Sequence, residues 1–181
     1  FYSLKAENRP RIVKLLTEAS RRDCILIYDP NFREPHMKEL ESVRPSILEN
    51  IEVSDIVRGS GEDFGNIFQT GDPELIYQNI VAYGGKVLIL TQGDKEVFLF
   101  TGTIRKSYVV PPVQTVSTIG AGDSFNAGLI FEMIRKNISF KDLQALGEKD
   151  WDKLISTAIT FASHVCCEKN NYISHGFVTQ L

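Results

Sequence analysis

After its first residue, the segment Lys86-Val87-Leu88-Ile89-Leu90 is apolar without alternation, so a strand built from it must be covered on both faces. Cys24-Ile25-Leu26-Ile27-Tyr28 has the same character, and Ser54-Asp55-Ile56-Val57 is a third, shorter strand candidate. Helical patterns separate them. Ile12, Val13, Leu15 and Leu16 recur at helical spacing between residues 8 and 22. Residues 36–50 read as a helix that Pro45 breaks or kinks. Asp72 caps a further helix and Pro73 opens it; Leu75, Ile76, Ile80 and Val81 form its apolar stripe, and Gly84-Gly85 ends it. Val97–Phe100 and Ile104–Val110 flank Thr101-Gly102-Thr103 as a hairpin. Helices are expected over 123–136 and 151–167, the second apolar around most of its girth. Alternating helix and strand predicts an α/β fold, a mostly parallel sheet sandwiched by helices with an antiparallel edge.

At 181 residues the chain can bury about 70% of its unfolded surface in one core, so one domain is the default. A net charge of −3 without Lys/Arg runs excludes nucleic acid or an anionic membrane as the evident partner, so any bound phosphate must be held locally. Cys24, Cys166 and Cys167 have neither disulfide-framework nor metal-ligand spacing and read as reduced core thiols of a cytoplasmic protein. No apolar run approaches the ~20 residues of a membrane span, and the N-terminus lacks a signal pattern. The chain starts on Phe1 and enters a helical pattern almost at once, which implies a beginning partway through a longer protein.

Chemistry concentrates in Ile119-Gly120-Ala121-Gly122-Asp123-Ser124-Phe125. Small residues let backbone approach a ligand closely, and a helix starting there aims its unpaired N–H groups at an anion. A carboxylate in the first helical turn beside that anion can take a proton from an attacking hydroxyl, which suits phosphoryl transfer. The bland alternative is a capped helix after a glycine turn. No GxxxxGK[ST] loop is present, and Phe125 stands where a dinucleotide fingerprint needs its last glycine.

Ser117-Thr118-Ile119-Gly120-Ala121-Gly122-Asp123, continued by Ser124-Phe125 and Ala127-Gly128, resembles the Asp-Thr-x-Gly-Ala-Gly-Asp motif of the ribokinase-like (PfkB) carbohydrate kinases. Asp29-Pro30-Asn31-Phe32-Arg33 resembles the Asp-Pro-Asn-x-Arg segment of the fructokinase and 2-keto-3-deoxygluconate kinase branches, and Thr91-x-Gly93 falls in the matching order. The resemblance implies a doubly wound fold, seen here as the C-terminal ATP-binding and catalytic part over 1–181, without the N-terminal strands and lid. It implies ATP-dependent phosphorylation of a sugar hydroxyl, with ATP and Mg²⁺ required. Asp123 would be the general base, and the N–H groups of Gly120, Ala121 and Gly122 the anion hole. Thr91, Gly93 and Thr118 would line the nucleotide, Asn31 and Arg33 the phosphate or sugar side, and His164 the adenine pocket or simply the core. Asn31 reads equally as part of a loop tied by local hydrogen bonds. Glu62 and Asp63, in the segment Ser60-Gly61-Glu62-Asp63 that stands where the family has Asn-x-x-Glu, would order magnesium or merely start a helix.

The departures bear on function. Ser117 replaces an Asp near the family's monovalent-cation site, leaving that cation open; Glu96 replaces a glycine of the nucleotide loop, and Asn170-Asn171 stands where Gly-Ala usually follows the last helix. They motivate a rival, a catalytically impaired nucleotide-binding homologue. A dinucleotide-dependent oxidoreductase is the rival the α/β pattern alone would allow. Fructose is the first expectation for the sugar and 2-keto-3-deoxygluconate the second. Without the missing strands this chain is expected not to phosphorylate sugar alone, and its unpaired sheet edge would favour aggregation or a homodimer.

Overall fold

The run Lys86–Leu90 becomes β3 (Leu88–Gln92), the middle strand of a five-stranded sheet, in the computed structural model, which describes residues 2–179. Phe1 lies outside the described residues. The strand order is β1 (Ile27–Tyr28), β2 (Ile56–Ser60), β3, β4 (Glu96–Phe100) and β5 (Arg105–Val109). The pairs β1–β2 and β2–β3 are parallel, with Tyr28 opposite Val57 and Ser60 opposite Thr91. β4 pairs antiparallel with β3, Gln92 opposite Glu96, across a turn in which Gly93 has φ +61°. The antiparallel edge that the sequence predicts thus begins at the β3–β4 pair. Thr91 and Gln92 belong to the strand because the chain folds straight back and pairs with them.

Of the three cysteines expected in the core, Cys24 and Cys167 are exposed and Cys166 is half-buried, because each lies at or beyond a helix end rather than on a covered face. β1 is two residues long and half-buried, not five residues covered on both faces. In α1 (Arg9–Arg21) no residue is buried, and Val13 and Leu15 are exposed, so the apolar stripe there is not core. Pro45 lies inside α2 (Leu40–Val53) without ending it: the lost N–H falls near the helix start, while Val43, Ile47 and Ile51, one turn apart, are buried and carry it onward. Glu62 and Asp63 do start a helix, α3 (Gly61–Phe68), which buries Phe64 and Ile67. In α4 (Pro73–Ala82) the buried face is Ile76, Tyr77 and Ile80, while Leu75 and Val81 are exposed. Asp72 caps it, accepting from Glu74 and Leu75 N–H at 2.8 and 3.1 Å. It closes with the N–H of Gly84 on Val81 O and of Gly85 on Ile80 O, the paired bonds that a left-handed Gly84 permits.

The one core that chain length allows is divided between two units, Phe1–Ser107 and Tyr108–Leu181. In the first, Val57, Leu88, Leu90 and Phe100 of the sheet share a core with Ile47, Ile51, Phe64, Ile76 and Ile80. The second is helical: α5 (Ala121–Arg135), α6 (Phe140–Leu143), α7 (Glu148–Cys167) and α8 (His175–Val178). α5 and α7 approach so closely at Gly128 that a Cβ there would lie 2.8 Å from Ala158 Cα and 2.9 Å from Phe161 Cβ. Leu129, Trp151, Leu154, Ile155 and Phe161 are buried around that contact, and α7 keeps a narrow exposed stripe of Lys153, Ser156 and Thr160.

Candidate functional site

Parallel strands deliver their C-terminal residues to one side of a sheet, where open α/β folds place ligand chemistry. In the first unit, Tyr28 is opposite Val57 and Arg58 opposite Ile89, so the register carries Asp29 alongside Arg58 on the face that also holds Thr91. Arg58 is buried. Its Nη1 donates to Asp29 Oδ2 at 2.7 Å and its Nη2 to Thr91 Oγ1 at 3.3 Å; the Thr91 hydroxyl in turn donates to Gly59 O at 3.3 Å.

The same Asp29 orders the next loop. Its Oδ1 accepts from Asn31 N–H at 3.2 Å, and Asn31 takes a left-handed φ of +44°, which short polar side chains tolerate. Asn31 Oδ1 accepts from Arg33 Nε at 3.1 Å. Arg33 Nη1 reaches Glu62 Oε2 at 3.0 Å, and its Nε lies 3.7 Å from Asp63 Oδ1. Between them Phe32 is fully buried, with its carbonyl accepting from Asn66 Nδ2, which anchors the loop. Asn31, Arg33, Glu62 and Asp63 therefore meet, and the local-tie reading of Asn31 describes its bonds here.

Glu62 and Asp63 differ sharply. Asp63 is buried in the third position of α3, where its Oδ2 accepts from the N–H and hydroxyl of Ser60 while Ser60 Oγ accepts from Asp63 N–H at 3.2 Å. That reciprocal cap accounts for an acid at this position. Glu62 is exposed, with Arg33 as its ion-pair partner. Among the described residues no group of three His, Cys, Asp or Glu side chains could hold a metal ion. Magnesium held largely by nucleotide phosphates and water needs only one or two carboxylates, and Glu62 is the accessible one. Gly93 sits in the β3–β4 turn with open space where a Cβ would be.

In the second unit, Gly120 has φ +81° and a Cβ there would stand 2.9 Å from Asn171 O. Only glycine fits both constraints. Val116 and Ser117 donate their N–H groups to Cys166 O at 2.7 and 3.2 Å, so the turn is pinned to the C-terminal end of α7. Ser117 Oγ accepts from Ile119 N–H, and Ala121 N–H donates to Thr118 O at 3.2 Å. Asp123, the third residue of α5, is exposed in the first turn, where helix-terminal partial charge favours its carboxylate. His164 is half-buried and stacks on Phe177, with ring centroids 3.9 Å apart and planes at 12°.

The residue that sequence reasoning missed is Arg58. Its signal was present: a single charge between Val57 and Gly59 in a segment otherwise fit for a buried strand. Only the strand register identifies its partners.

A family model described as pfkB family carbohydrate kinase matches residues 3–175. Among curated relatives, a fructokinase from Rhizobium leguminosarum bv. trifolii is 29% identical over 68% of this chain and 37% of its own length. A 5-dehydro-2-deoxygluconokinase from Clostridium botulinum is 27% identical over 91% of this chain and 48% of its own. The chain thus spans less than half the length of these relatives. Among solved structures, fructokinase with bound ATP from Xylella fastidiosa superposes with a TM-score of 0.83 at 18% identity, over 98% of this chain and 57% of that one. At that identity the likeness is one of fold. Among the described residues no helix is long and apolar enough to cross a membrane.

Proposed function

The chain belongs to the pfkB family of carbohydrate kinases, and from that premise we propose that the protein transfers the γ-phosphate of ATP to a sugar hydroxyl with Asp123 as the general base. The observation that carries the reading is the turn at the head of α5: a left-handed Gly120, two small residues whose N–H groups open a 15-residue helix, and a carboxylate in its first turn.

In the reaction, the sugar oxygen attacks the γ-phosphorus, its proton passes to Asp123, and the bond from that phosphorus to the oxygen of ADP breaks. The N–H groups of Gly120, Ala121 and Gly122 hold the negative oxygens, with Ala121 giving up its bond to Thr118 O. Thr91, Gly93 and Thr118 line the nucleotide. Arg33, with its planar fork steadied by Asn31, takes a phosphate or carboxylate, and His164 stands beside the base. Glu62 would be the carboxylate that helps to hold magnesium, which would supply neutralisation of charge on the nucleotide phosphates. Asp63 keeps Glu62 in place through the helix cap. Replacing Glu62 and Asp63 together is expected to raise the magnesium concentration needed for half-maximal rate; an unchanged titration would remove both from the site.

Fructose is the first substrate to try, in keeping with one relative's name, and 2-keto-3-deoxygluconate the second, with 5-dehydro-2-deoxygluconate added to the panel from the name of the other relative. The test is ADP release by the full-length protein, coupled to a spectrophotometric readout, across a panel of sugars. Nucleotide binding without turnover on any sugar would identify the catalytically impaired homologue instead.

A further inference from the structure

Arg58 carries its charge where nothing about stability asks for one. It is 6% exposed on β2, with Ile56 and Val57 before it and Ile89 opposite it on β3, all fully buried. An apolar side chain of similar length would fill such a place, and replacing buried ion pairs by well-packed apolar residues is often neutral or stabilising. What the guanidinium does there is span two acceptors. One arm holds the carboxylate of Asp29 just beyond β1, and the other reaches the hydroxyl of Thr91 in β3. From Asp29 the bonds continue to Asn31, from Asn31 to Arg33, and from Arg33 to Glu62. The side chain of one strand residue is therefore linked to two groups with binding roles in the kinase reading, Thr91 for the nucleotide and Arg33 for a phosphate or carboxylate.

We propose that Arg58 is a positioning residue for the nucleotide: its two arms set the Thr91 hydroxyl directly and the Arg33 guanidinium through Asp29 and Asn31. The inference rests on the kinase reading and goes beyond it, because Arg58 acts through its partners and on ATP more than on sugar. A planar fork is required. Lysine keeps the charge and can hold Asp29, but its three donors radiate from one nitrogen and do not reproduce the spacing of the two guanidinium nitrogens that reach Asp29 and Thr91. Misplacement of binding groups by an ångström can lower rates by about 10²-fold, so a partial loss of register should be visible in kinetics.

The experiment compares wild type, Arg58→Lys, Arg58→Met, Thr91→Val and the Arg58→Lys/Thr91→Val double variant in the full-length protein. It measures Tm together with kcat and the KM values for ATP and for sugar. Arg58→Lys is expected to keep Tm within a few degrees of wild type, to raise KM for ATP roughly tenfold, and to leave KM for sugar within twofold. Thr91→Val should cost less in the Arg58→Lys background than in wild type, because there the hydroxyl has already lost the arm that sets it. Arg58→Met, if it folds, should lose more than Arg58→Lys. Unchanged kinetics in Arg58→Lys at wild-type Tm would overturn the proposal, as would equal rises in both KM values or strict additivity with Thr91→Val. A wild type that releases no ADP with any sugar would overturn the kinase reading itself, and this inference with it.

Discussion

In the first unit, polar groups at the strand ends are held by side chains: Arg58 on Asp29 and Thr91, Asn31 on Arg33, Arg33 on Glu62. In the second, the turn before α5 is held by backbone: two N–H groups on Cys166 O, one on Thr118 O, and a left-handed glycine seated against Asn171 O. The outer end of that network tolerates change, because an exposed ion pair such as Arg33–Glu62 contributes only about 0–1 kcal/mol, whereas Arg58 at its inner end is buried. A backbone turn built on glycine offers no such slack. It also leaves the Asp123 carboxylate exposed rather than tied up by neighbours.

The comparison can be broken most forcefully at Asp123. Asp123→Ala in the full-length protein is expected to lower kcat by about 10²–10⁴-fold while KM for ATP changes little, since its carboxylate acts on the sugar hydroxyl. Steady-state kinetics at saturating sugar would decide it; near-normal turnover would take Asp123 out of the chemistry. Next in size is Gly128→Ala, whose added methyl meets Ala158 Cα and Phe161 Cβ inside 3 Å. Overpacking of this kind costs about 1–3 kcal/mol, readable as a lowered urea midpoint.

Asp63→Ala sharpens the contrast on the side-chain side. Loss of the reciprocal cap at α3 should destabilise the protein by about 0.5–2 kcal/mol, and Asp63→Glu should recover part of it. Glu62→Gln, which removes an exposed ion pair, should leave stability within about 1 kcal/mol and thereby separate the two acids.

An effect of similarly small size is expected at Tyr108. Burial, and then a 2.8 Å hydrogen bond donated to Asp152, push its phenol well above its usual value near 10. The folded chain keeps this proton where the unfolded chain has begun to release it, so its contribution is complete below about pH 10 and declines as pH rises further. Tyr108→Phe should cost about 0.5–1.5 kcal/mol at neutral pH and flatten that alkaline decline in a pH series of denaturation midpoints.

Sequence alone determined the features written in local chemistry. Asp72-Pro73 and Gly84-Gly85 bound α4 because capping and left-handed closure depend on the residues themselves. Gly120-Ala121-Gly122-Asp123 announced a helix start with a carboxylate in its first turn for the same reason. The tertiary structure decided what depends on neighbours distant in the chain. No residue of the α1 stripe is buried although its spacing is helical, Val13 and Leu15 being exposed and Ile12 and Leu16 half-buried, because periodicity specifies a face and not what covers it. Pro45 stays inside α2 because burial of Val43, Ile47 and Ile51 outweighs one missing N–H. Arg58, Asp29 and Thr91 converge because the register of three strands sets which side chains share a face, and register is a property of pairing between segments about 30 residues apart in sequence.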